Sequence, residues 1–355
     1  MKKLIIPLLA VALAVVITVP AIAAEWAFYG SARMETYSVD ISKEVSPTAY
    51  YPGNGLGYDD RHIRWKLQGN SRIGAKIKAG NIRGRFEYGT KVNLRILSGA
   101  WNFGAGELLV GRNYTPTSIR FSKQVFYADN NLKGFGSLFS RTDMIQIKLG
   151  GLSLALVKPE TGDIDGLAGA DYDTTLPTIE ARYERSFDMI QAGIFGSYNR
   201  YDIVDATDKE YGIITHLVGL YGKTDIGPTT LSGMFYYGKN LGLRGQPIAA
   251  DCTPNFNPAD DDVDDNDGYG YALTLGCKIN NMFTVEAGYG AVSFKDDVPG
   301  ATDDKACSYY LQAVITLAKG IYLTPEIGIL DYKEDSAGND EGDVTYFGAQ
   351  WKISF

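Results

Sequence analysis

Two groups of side chains in this sequence have the spacing to do chemistry: a row of cations and a run of carboxylates. The cations are Arg64, Lys66 and Arg72 within IRWKLQGNSRIGAKIKA (63–79), then Arg83, Arg85 and Arg95. Even separations put each set on one side of an extended chain, opposite Ile63, Trp65, Leu67, Ile73 and Ile77 in the first stretch. Fixed positive charge beside water attracts anions and steers passing ions. The carboxylates are seven aspartates within 251–267, among them Asp260, Asp262 and Asp264. Clustered oxygens are what Ca²⁺ and Mg²⁺ require, and the same run also suits a solvated loop.

Catalytic options are few. His62 follows Asp59-Asp60-Arg61, where an Asp–His pair is conceivable, and His216 lies in IITHLVGLYG. Neither has a second converging acid or a nucleophile in its stretch of sequence. Zinc-ligand spacing is missing and the glycine pairs read as turns, so no cofactor is expected. Three cysteines cannot staple a fold of this size. Cys252 and Cys307 fall in or beside neighbouring long loops, which leaves one bridge between them open.

The elements that must position these groups are strands. Helical periodicity is missing after the first residues, and period-two alternation replaces it. The terminal DVTYFGAQWKISF shows it most clearly: Phe347, Ala349, Trp351, Ile353 and Phe355 share one face, while Tyr346, Gln350, Lys352 and Ser354 share the other. The pattern predicts strands over 26–39, 61–79, 82–89, 91–103, 107–113, 141–149, 151–158 and 176–186. The second half adds 189–204, 211–224, 229–242, 269–279, 282–296, 306–318, 321–333 and 343–355. A parity change around Leu97–Gly99 implies a bulge in the fourth. Short turns alternate strictly with long loops, as in an antiparallel meander.

The first 23 residues read as a secretory leader: Lys2 and Lys3, an apolar run from Leu4 to Val19, then Ala21-Ile22-Ala23. Residues 24–355 form the second unit. With the two leader lysines removed, basic residues number 32 against 42 acidic ones, a net charge of −10. That balance excludes a nucleic-acid partner. The 332 residues after the leader give about 21 per strand, room for a transmembrane strand of ~9–11 residues and its loop. Mid-strand charges on one face and terminal aromatics on the other favour a membrane over a soluble sandwich. The fold class expected is therefore all-β: a transmembrane antiparallel β-barrel of 16 strands, closed because lipid leaves no partner for an open edge. It has short periplasmic turns and long extracellular loops.

FEYG at 86–89, SGAWNFGAGELLVGRNYTP at 98–116 and the terminal YFGAQWKISF resemble the general porins of Gram-negative outer membranes. GRNY at Gly111–Tyr114 sits where that family enters an inward-folding third loop, and IRWKLQG resembles its second strand, whose arginine lines the constriction. Arg64 is the matching position, and Arg112 joins the pore-lining set through GRNY. The resemblance implies a homotrimer, each barrel with a water-filled channel for passive diffusion of small hydrophilic solutes. It also implies an outer-membrane lipid and lipopolysaccharide setting, and a terminal Phe355 read by the barrel-assembly machinery.

The third loop departs from the family pattern. Between Leu108 and Thr142 it carries Arg120 and Lys123 but one acid, Asp129. The acidic half of the constriction is thus largely missing, and a mild anion preference is expected. Two other readings remain: a substrate-specific porin for a sugar or an anion such as phosphate, and, more remotely, a barrel enzyme. Phe121, Phe126, Tyr127, Phe135 and Phe139 make the loop aromatic, as guides for a solute or as anchors to the wall.

Overall fold

A strand with an oily and a charged row must separate two environments. Ile63 and Trp65 are 75% and 71% exposed on the outer face, whereas Arg64 between them is 6% exposed on the inner one. The computed structural model describes residues 24–46, 60–162, 164, 167, 171–244 and 248–355. Residues 1–23, expected as a leader, and the middle of the first long loop lie outside them.

The wall strands are β1 (Glu25–Ile41), β2 (Asp60–Leu67 continued by Arg72–Ala79), β3 (Ile82–Gly89), β4 (Leu94–Asn102), β5 (Glu107–Tyr114) and β6 (Arg141–Leu149). They continue as β7 (Leu152–Val157), β8 (Thr178–Phe187), β9 (Ile190–Val204), β10 (Glu210–Ile226) and β11 (Thr229–Lys239). The wall ends with β12 (Asn266–Lys278), β13 (Phe283–Asp296), β14 (Asp304–Ala318), β15 (Ile321–Asp331) and β16 (Asp343–Ser354). Each pairs antiparallel with its sequence neighbour, and β1 pairs with β16 from Ser31↔Ser354 to Ile41↔Val344, closing a sixteen-strand barrel. No sheet edge is left for lipid to meet. The short turns use Gly80, Gly104, Gly150, Gly227 and Gly320, all at positive φ.

Three local features differ from the sequence expectation. The second strand is interrupted at 68–71, where Gln68, Asn70 and Ser71 turn buried side chains inward. The fourth strand starts at Leu94, and its irregularity lies at Arg95, opposite Glu87 and Tyr88, two residues before the expected place. There the extra residue lets Arg95 and Ile96 both point inward and be buried. The loop at 240–265 is not structureless: it holds a 3₁₀ turn, Leu241–Arg244, and a hairpin pairing Asn255–Asn257 with Asp262–Asp264.

The inner row changes character around the barrel. From β9 to β16 and into β1 it carries Phe195, Tyr221, Tyr236, Tyr310, Tyr346 and Tyr37, which with Phe126, Leu132 and Phe135 of the third loop form one apolar cluster. From β2 to β6 it carries the cations.

Candidate pore constriction

The third loop, residues 115–140, leaves β5 and crosses the lumen toward the aromatic side. Glu180 of β8 holds its root by accepting the Thr117 amide (3.0 Å) and hydroxyl (2.8 Å). Glu286 of β13 accepts the Lys123 amide at 2.8 Å. Glu326 of β15 accepts the amides of Val125 (2.7 Å) and Phe126 (3.1 Å) and the Tyr346 hydroxyl (2.9 Å). The Phe126 ring stacks on Tyr346 with centroids 3.6 Å apart, and Tyr37 meets it edge-on at 5.1 Å. On the far side Gln68 and Asn70 donate to the carbonyls of Val125 (2.9 Å) and Ala128 (2.7 Å). The loop returns past β12 and β13 so closely that a Cβ on Gly136 would lie 1.9 Å from the Tyr271 carbonyl oxygen.

Its tip is a left-handed turn. Tyr127, Ala128 and Asp129 have φ of 50°, 64° and 59°, a conformation costing roughly 1–2 kcal/mol for each non-glycine residue. Fixed groups hold it there. Asp129 is ion-paired with Arg33 and accepts from Gln350 at 2.7 Å, and the Tyr127 ring lies 4.9 Å from the Arg64 guanidinium.

The basic wall faces this tip, but not unopposed. Glu87 of β3 accepts from Arg95 (2.7 Å), Arg85 (2.9 Å), Arg72 (3.3 Å) and the Tyr29 hydroxyl (2.9 Å). Glu35 of β1 binds Arg64 at 2.5 Å, and Glu107 of β5 binds Arg83 and Lys148. Sequence reading sought the acids in the loop and missed these wall carboxylates. The signal was present: Arg83, Arg85 and Glu87 are two apart and share a face.

The remaining predicted residues divide. Lys66 is exposed beside Arg64. Lys123 reaches Glu286 at 3.4 Å. Arg112 stands in register with Leu97 and Asp143, in the row of Val110, and lines two cavities beside the root of the third loop. Its guanidinium meets Asp143 at 3.5 Å and the Arg141 carbonyl at 3.3 Å. Arg120 lies 4.9 Å from the Tyr114 ring and 5.1 Å from Phe139; Lys133 lies 5.0 Å from Phe139. Arg120, Lys133 and Arg141 have no ion-pair partner among the described residues. Burial, then the charge of Arg141, brings the Lys133 ammonium down to about 8. Phe126 and Phe135 are loop anchors, and Phe139 serves as a platform for cations.

Several cavities follow the basic side, while another of about 640 Å³ lies among Glu44, Asp331, Glu334, Asp340 and Asp343 at the long-loop end. On the basic side, one of about 600 Å³ is lined by Lys76, Arg83 and Lys148 near the short turns. Others of about 420 Å³ and 230 Å³ adjoin Arg72 and Arg85, then Arg95, Lys133 and Arg141.

The aspartate run is largely occupied by protein partners: Asp261 by Lys209 (2.8 Å) and Tyr211 (3.1 Å), Asp265 by Asn240 (2.6 Å) and Lys239, and Asp267 by Tyr237. Asp260 accepts from Asn257, and Asp262 caps the Val263 amide. Asp264 sits in the loop hairpin. Among the described residues no three of His, Cys, Asp and Glu converge as a metal would need. Cys252 and Cys307 are both buried free thiols. His62 Nδ1 lies 3.2 Å from Asp60, and among the described residues no third His, Cys, Asp or Glu converges on them.

A family model described as Gram-negative porin matches residues 10–336. No curated protein matches the chain in sequence. The outer membrane channel DcaP of Acinetobacter baumannii is similar in structure over 94% of this chain and 97% of its own, at 16% identity and TM-score 0.74. An anion-selective porin from Comamonas acidovorans aligns over 94% of this chain and 100% of its own, at 13% identity and TM-score 0.61. OmpT of Vibrio cholerae in a trimer form aligns over 94% and 100%, at 15% identity and TM-score 0.59. At such identities the likeness shows the fold.

Proposed function

Because this chain belongs to the Gram-negative porin family and forms a channel across an outer membrane, we propose that it passes small hydrophilic solutes by passive diffusion, with a mild preference for anions. One observation carries the reading: cations outnumber carboxylates along the cavities that border β2 to β6. Arg72, Arg85 and Arg95 share the single Glu87 carboxylate, and Arg120, Lys133 and Arg141 pair with no acid among the described residues. Charges ringing a narrow passage act on an ion directly, whereas the acidic loops at the mouth are screened within ~8 Å at physiological salt. The wall carboxylates keep the preference mild. The test is the zero-current potential across a KCl gradient in a planar bilayer. A chloride-directed potential is expected, and a clear potassium-directed one overturns the reading.

The same reading takes the protein as a homotrimer, as in the trimer form of its structural neighbour, and as a channel without catalysis. Residues 1–23 are a cleaved leader, Phe355 is an address for barrel assembly, and outer-membrane lipid with its lipopolysaccharide surrounds the apolar face. Support for that face comes from the exposed outer row, Trp65, Phe347, Trp351 and Phe355 among it.

A further inference from the structure

On the short-turn side of the Arg33–Asp129 contact, the inner faces of β16, β1, β2 and β3 border an open cavity of about 420 Å³. That volume falls within the range of small-molecule sites. Its floor is made of small side chains, Ala27 and Ser31 of β1 and Ser354 of β16. Cations ring the floor. Arg72 is in register with Ser31, Lys76 with both Ala27 and Arg85, and Lys352 with Arg33.

Four of these cations keep a donor for the lumen. Arg72 spends Nε on the Asn70 carbonyl (3.0 Å) and Nη1 on Glu87 (3.3 Å), which leaves Nη2. Arg85 spends Nε on the Tyr29 hydroxyl (3.0 Å) and Nη2 on Glu87 (2.9 Å), which leaves Nη1. Lys76 and Lys352 have no carboxylate partner among the described residues; their ammonium groups lie 5.9 Å and 5.3 Å from the rings of Tyr29 and Tyr322. These nitrogens are not sealed in the wall. The Arg72 and Arg85 side chains are 19% and 33% exposed, Lys76 is exposed and Lys352 is half-buried.

Charge and shape narrow the ligand. Glu87 is the one side-chain carboxylate on the lining, and Arg95 draws on it too, while Arg33 is spent on Asp129. A dianion offsets more of the remaining repulsion than a monoanion does. Neither arginine has two nitrogens free, so the two-pronged clamp that suits a carboxylate is not available. Single donors from three strands instead suit an anion whose oxygens point in several directions.

We propose that this cavity binds a tetrahedral dianionic oxyanion, the phosphate group of inorganic phosphate or of a small phosphomonoester. The proposal rests on the channel reading and adds a saturable site to it.

The test is block of KCl current in planar bilayers. Glycerol 2-phosphate and inorganic phosphate are compared with methanesulfonate, tetrahedral but singly charged, and succinate, doubly charged but split between two planar carboxylates. Glycerol 2-phosphate is expected to block saturably, at a concentration about tenfold below the last two, the effect of about 1.4 kcal/mol. Inorganic phosphate blocking as tightly as the ester assigns the site to free phosphate; tighter block by the ester assigns it to phosphomonoesters. K76M and K352M each raise the half-blocking concentration several-fold, and either one suffices if the other fails to assemble. R200Q, exposed on β9, does not raise it. Succinate matching glycerol 2-phosphate overturns the proposal, and so does phosphate block unchanged in K76M and K352M. A chloride-directed zero-current potential without phosphate block removes the site and leaves the channel reading standing. A protein giving no KCl conductance at all sinks the channel reading itself.

Discussion

At the scale of single residues, the constriction is decided by which charges are neutralised. Parity made Arg64, Arg72, Arg83 and Arg85 legible as an inward row, and the same parity carries Glu35, Glu87 and Glu107. Lys133 is the residue whose charge changes in an accessible pH range. Its ammonium is held down to about 8, so it is mostly charged at pH 7 and mostly neutral at pH 9. Raising pH across that window removes one positive charge beside Arg95 and Arg141. Anion-over-cation permeability is expected to fall about two- to fourfold, the effect of one charge some 5 Å away in water. K133M should give the lower value at every pH, and a wild-type ratio that stays flat from pH 7 to 9 would refute the assignment. Sequence gave no warning of Lys133, because its depression comes from burial against a loop whose path only the folded barrel sets.

At the scale of elements, the strands were readable and the third loop was not. Alternation located all sixteen strands because a wall between lipid and water imposes one period throughout. The errors fell where packing overrides it: the break at 68–71 serves the loop's carbonyls, and the bulge at Arg95 serves Glu87. The loop's fold depends on contacts with residues up to 222 positions away, such as Gln124 with Tyr346, which no local pattern contains. Two substitutions separate its strain from its anchoring. A128G relieves a left-handed residue and is expected to stabilise the loop by about 1 kcal/mol, read as a higher heat-denaturation midpoint with unchanged conductance. Y346A removes the ring under Phe126 and the hydroxyl on Glu326. A loss of roughly 3–5 kcal/mol follows, with larger and noisier single-channel currents. Quiet, wild-type currents in Y346A would mean that the loop does not depend on this contact.

At the scale of the whole molecule, a chain of net charge −8 carries a row of cations on β2 to β4 while many of its acids lie in the long loops. Asp260, Asp261 and Asp262 are exposed, and cations gather near such a mouth. Converting Asp260, Asp262 and Asp264 to Asn should therefore raise anion preference at low salt. At about 1 M salt the screening length is about 3 Å and the difference should vanish. A gain that persists in high salt would place these acids on the ion path instead.

The seat of the third loop has a consequence in time. It is built from Arg33 and Tyr37 of β1 together with Glu326, Tyr346 and Gln350 of β15 and β16, the first and last strands to be made. Until the barrel closes, that seat does not exist. An open barrel is therefore a wide one, and the narrowing of the channel is the final event of its assembly. Trypsin added during refolding should cut at Lys123 and Lys133 only before closure, so the constriction doubles as a record that the first strand has met the last.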